Sequence, residues 1–229
     1  MNAAAAADGC GMHKDLKTIL GAFGIFLLLS LFSGLPVLLL YLDASWLDNS
    51  MGEASLIEIS QSLVLVLCIA SFVVVAKNER AERGFAILAV AFFLCMLIRE
   101  QNNMLNDVME NLWKWLVYTC AIIGVFLAAL QGSKTVSALA RFLGTRAGSV
   151  MMVGLVLLLA YSRLFGMEVL WRAIMDDSYI RIVKNAAEEG TELMAYLVIL
   201  AASQGYCCQF QSFWGQKRTL SPAGVDHLH

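Results

Sequence analysis

The sequence predicts an all-α polytopic transmembrane bundle of about six helices, with both termini cytoplasmic. Three observations carry this. Hydrophobic residues make up 59 % of the 229 and charged residues 15 %, richer in the first and poorer in the second than a soluble domain. Apolar runs recur at the length a spanning helix needs, about 20 residues. Lysines and arginines cluster in alternate connections, which the positive-inside rule reads as cytoplasmic. The formal net charge of −2 carries no sign of a nucleic-acid partner. The lipid bilayer is the partner implied.

Residues 1–16 form an Ala- and Gly-rich tail with no capacity for a core, and the expectation is a mobile segment. The transmembrane domain covers 17–213 and a cytoplasmic tail covers 214–229. The first span, 18–42, exceeds a secretory h-region and lacks a small-residue cleavage site, so it is expected to be retained, with a bend at Pro36. A turn containing Trp46 and no basic residue follows.

The second span, 55–76, brings Glu58, Gln61 and Ser62 into its first turns, and Lys77, Arg80 and Arg83 follow it. The third, 85–104, is apolar until Arg99 and Glu100, after which Asn102, Asn103, Asn106, Asp107 and Glu110 form a polar extension. The fourth, 112–130, opens with Trp113, Lys114 and Trp115, suited to an interface. In the connection 132–148, Val136, Leu139, Ala140 and Leu143 share one helical face, the pattern of a short interfacial helix. The fifth span, 149–170, carries Tyr161 and Arg163. The sixth runs from Arg181 to about Tyr206, before a tail with Lys217, Arg218 and Pro222.

The sixth span organises the rest. Lys184, Glu188, Glu192 and Tyr196 fall at i+4 steps and line one face, with Glu189 beside it. An ionised side chain at mid-bilayer costs roughly 2.5–3.5 kcal/mol on insertion scales, so such residues persist where they are paired, hydrated or functional. With the predicted topology, Glu58, Gln61, Arg99, Glu100, Asp107, Arg163, Glu188, Glu189 and Glu192 all belong to the outer half of the bundle, while the cytoplasmic half reads as dry and apolar. The outer acids outnumber the charge partners Arg99, Arg163 and Lys184. The candidate cation or proton site is therefore Glu58, Gln61, Glu100, Asp107, Glu188, Glu189 and Glu192.

The competing readings are a register-fixing set of salt bridges, a metal-dependent hydrolase acting on a lipid head group, and an accessory subunit whose polar layer docks a membrane partner or a second copy. For the hydrolase, Glu58, Glu188 and Glu192 are the candidate metal ligands. Their oxygen chemistry suits Mg, Ca or Mn and not zinc. His13, His227 and His229 lie in the tails, which leaves no histidine for a nucleophile's base within the spans. No GxSxG motif occurs, and no catalytic residue is assigned. The six cysteines show neither paired nor metal-type spacing and read as reduced. Tyr118, Tyr161 and Tyr196 read as core or interface packing.

Several short patterns converge on one resemblance. A Glu-x-x-Gln opening (Glu58, Gln61), an Arg-Glu pair with a following Asp (Arg99, Glu100, Asp107), Trp113-Lys114, and an EEGxEL start (Glu188 to Leu193) resemble a loose group of six-span bacterial inner-membrane proteins. The resemblance covers spans two to six. It implies the topology and a bacterial inner (cytoplasmic) membrane, and carries no activity. A comparison with ceramidase-like membrane hydrolases meets the absence of their histidine ligands.

Overall fold

The computed structural model describes residues 3–46 and 55–219, and no strand occurs among them. The helices are α1 Ala3–Trp46, α2 Leu56–Asn78, α3 Arg83–Glu100, α4 Asn102–Val108, α5 Leu112–Ala129, α6 Ser133–Leu143, α7 Arg146–Phe165, α8 Glu168–Met175 and α9 Arg181–Thr219. Five are long and apolar enough to cross a membrane, and six if α3 and α4, bent by 68°, form one broken span.

The helices pack in the order α5–α3–α2–α9–α7, with α1 resting on α2 and α9. α3 and α7 do not pack closely on each other; α6 ties them together at one end, leaving a slot between them. Where backbones approach closely, small residues make it possible, as membrane helix interfaces favour. A Cβ at Gly154 would stand 2.6 Å from Ile199 Cγ1, and one at Gly124 would stand 2.2 Å from the Ala91 Cβ. Leu65, Cys68, Phe72, Leu158, Leu193 and Ile199 form the buried centre. Phe26, Ile122, Phe126 and Val153 expose large apolar surfaces on the outside, which suit hydrocarbon and not water.

Several sequence expectations change. The stretch read as an N-terminal tail is helical from Ala3, a continuation of α1, which also passes through Pro36. At the other end α9 continues to Thr219, into the stretch read as tail. The third span does not continue straight to 104: it ends at Glu100, and the chain turns at Gln101 into a second helix that begins at Asn102. The fifth span stops at Phe165, before Gly166, and an amphipathic helix α8 follows. α6 forms as expected. Its Val136, Leu139 and Leu143 remain exposed while Thr135, Ala138 and Phe142 dock on the bundle. The turn 47–54, residues 220–229 with Pro222, His227 and His229, and the side chains of Cys10, His13, Trp46, Lys217 and Arg218 lie outside what is described. The remaining cysteines are free thiols.

Two polar layers mark the two ends. The connections before α3 and around α6 lie at one end, here the basal end. The starts of α2 and α9, the α3–α4 bend and the end of α7 meet at the other.

Candidate functional site

The start of α2 is fixed by two caps. Ser55 Oγ accepts the Glu58 N–H at 3.2 Å, and the buried Asp43 carboxylate of α1 accepts the Leu56 and Ile57 N–H groups at 3.0 and 3.4 Å. Both satisfy amides that a helix leaves open, and the carboxylate suits the positive end of the dipole. With that turn fixed, Gln61 is buried against α9 and its Nε2 donates to the Glu189 carbonyl at 3.3 Å.

The end of α3 is tied down by Gln101, whose Nε2 donates to Ser62 Oγ at 2.7 Å. Just before it, Arg99 Nη2 meets Glu100 Oε1 at 2.8 Å. The hydroxyl of Tyr196, fully buried on α9, donates to the same oxygen at 2.7 Å. Tyr196 is thus a polar partner across the bundle and not packing alone.

α7 contributes Arg163 from just beyond a π-helical turn, Leu157–Tyr161. Such turns insert a residue into the helical register and recur at functional sites. Here the turn is followed by Ser162, whose hydroxyl bonds the Leu158 carbonyl at 2.6 Å. Arg163 Nη1 donates to Glu188 Oε1 at 3.2 Å, and Nη2 donates to Glu192 Oε1. Lys184 Nζ holds the other oxygen of Glu188 at 2.9 Å.

These elements enclose a polar cavity of about 400 Å³. Its lining includes Glu58, Arg99, Glu100, Arg163, Glu188, Glu189 and Glu192. Five carboxylates thus face two guanidiniums, and counting Lys184 against Glu188 the formal balance is three positive to five negative, a net of −2. Glu189 forms no ion pair among the described residues.

The i+4 stripe of α9 is real in space: Lys184 meets Glu188, Glu188 and Glu192 meet Arg163, and Tyr196 meets Glu100. Gln61 lies behind the cavity wall. Asp107 does not belong to the site. It is exposed on α4, carried away by the bend at Gln101. The metal set is corrected too: among the described residues no three acidic, histidine or cysteine side chains are placed to hold a metal. Glu188 and Glu192 are both engaged by Arg163, which removes them from a Glu58, Glu188, Glu192 cage.

Asn102, Trp113 and Asn185 also line the cavity. Asn185 precedes Glu188 and Glu192 by three and seven positions, a helical-face signal present in the sequence. A polar group was also missed at the basal end, which is therefore not wholly apolar. Glu82 is buried and receives Arg141 Nε at 2.9 Å and the Tyr206 hydroxyl at 3.0 Å. It lies in a connection, where no periodic pattern marks burial.

No protein-family model matches the chain, and no curated protein or solved structure is detectably similar to it.

Proposed function

We propose that the chain is a multi-pass protein of a bacterial inner membrane, termini cytoplasmic, whose polar cavity faces the periplasm and binds a cation or exchanges protons there. The carrying observation is the surplus of carboxylates around one cavity, with Glu189 outside every ion pair among the described residues. Charge gathered in a low-dielectric bundle is costly unless a counter-charge or water reaches it. The basal connections, with Lys77, Arg80, Lys134 and Arg146, support the orientation by the positive-inside rule. Since Arg163 holds Glu188 and Glu192, the cation that fits is monovalent or an organic ammonium and not a caged divalent metal, which requires six or more oxygens.

Thermal unfolding of the purified protein in sodium, magnesium and ethylammonium chlorides at equal ionic strength tests this. Ethylammonium or sodium is expected to raise the melting temperature, and Glu189→Gln to reduce the rise. Equal melting in all three salts would sink the cation reading.

A further inference from the structure

The cavity does not stand alone in its slot. Between the same two helices, α3 and α7, and toward the basal end, lies a second cavity of about 220 Å³. Phe85, Leu88 and Phe92 of α3, Leu143 of α6, and Met152 and Leu155 of α7 form part of its wholly apolar wall. α6 closes the slot at the basal end. Among the described residues no helix closes the side: Phe92 and Met152 are exposed there, on a surface that faces hydrocarbon if the bundle spans a bilayer.

The two cavities are spaced as the parts of an amphiphile. Along α3, Arg99 and Leu88 are eleven positions apart, about 16 Å at 1.5 Å per residue. One leaflet supplies hydrocarbon to a depth of about 15 Å, half of a roughly 30 Å core. A lipid whose head group is level with Arg99 would therefore place its chain beside Leu88. The charge of the polar cavity narrows the head group. A net of −2 disfavours an anionic lipid and favours one that carries an ammonium, which Glu189 can receive. Arg99 offers a place for a phosphate: its only hydrogen bond among the described residues comes from Nη2, and a guanidinium has five N–H donors.

We infer that the slot between α3 and α7 binds one zwitterionic aminophospholipid, its acyl chain in the apolar cavity and its phosphate and ammonium in the polar one. This rests on the cation reading of the polar cavity and names its ligand class.

The full chain, purified in mild detergent, is titrated with phosphatidylethanolamine and with phosphatidylglycerol of matched chains, and bound lipid is counted by native mass spectrometry. Phosphatidylethanolamine is expected to bind roughly tenfold more tightly, the worth of one charge-assisted hydrogen bond. Leu155→Trp, which fills the apolar cavity, should lower lipid retention while leaving the ethylammonium thermal shift intact. Met152→Trp, at the exposed mouth, repeats the test should Leu155→Trp fail to fold. Glu189→Gln should lower both readouts. Equal retention of the two lipids, or retention unchanged in both tryptophan variants, overturns the inference. If the ethylammonium shift persists in that case, the cation reading survives without it; if that shift is absent as well, both fall.

Discussion

The Glu188 carboxylate of α9 rests directly on Gly166, the residue that follows α7. A Cβ at position 166 would stand 2.4 Å from Glu188 Cδ. The glycine is therefore what allows Glu188 to reach both Arg163 and Lys184, and its role is steric, since its φ is an ordinary helical −79°.

Gly166→Ala should push Glu188 out of this position. Because the obstructing group is the end of a flexible side chain, the stability cost is expected at the low end of overpacking, about 1 kcal/mol. The larger effect should fall on the ethylammonium response of the cavity. A variant that matches the wild type in both melting temperature and cation response would show that the contact constrains nothing.

Arg163 is the hub of the pocket, and its partners predict a non-additive pair. Removing one member of a buried ion pair costs roughly 3–5 kcal/mol; the Arg163 side chain is 46 % exposed, so water will soften the loss in Arg163→Ala to less than that. Adding Glu192→Gln removes one of the stranded charges and should recover part of the stability. Chemical or thermal unfolding of the two single variants and the double gives the coupling. Strict additivity would contradict the hub.

At the basal end, Tyr206→Phe removes one hydrogen bond to Glu82 and should cost about 1 kcal/mol. Arg141→Met strands a carboxylate whose side chain is 7 % exposed and should cost more, roughly 1–3 kcal/mol. Glu82→Gln in the Arg141→Met background should then restore stability. Melting curves that rank Tyr206→Phe as the worst variant would refute this account.

The close helix contacts give a packing prediction independent of charge. Gly154→Leu forces α7 away from Ile199 and Gly124→Leu forces α5 away from Ala91, each at roughly 1–3 kcal/mol or more. Gly21→Leu, on α1 where a Cβ would meet nothing within 4 Å, should be neutral. A comparison of detergent melting temperatures across the three distinguishes a shape-fitted bundle from a loose one.

Much of this was readable in the residues, and the failures have causes. The helices of spanning length were legible because crossing hydrocarbon demands length and apolarity, both local properties. The α9 stripe was legible because i+4 spacing is a geometric identity of the helix. Asp107 was misplaced because nothing in the run after Glu100 specifies a 68° turn; the bend depends on where Gln101 finds Ser62 on another helix. Glu82 was missed because its burial depends on Arg141 and Tyr206, distant in sequence.

By itself the sequence determined an all-helical chain of spanning length with its ionisable residues gathered at few positions, since those follow from the cost of polar groups in hydrocarbon. Tertiary structure decided which charges meet. It assigned Arg163 to Glu188 and Glu192, left Glu189 without an ion pair among the described residues, and set a polar and an apolar cavity in one slot. Ion pairs act over a few ångströms, and only packing brings residues remote in the chain to that distance.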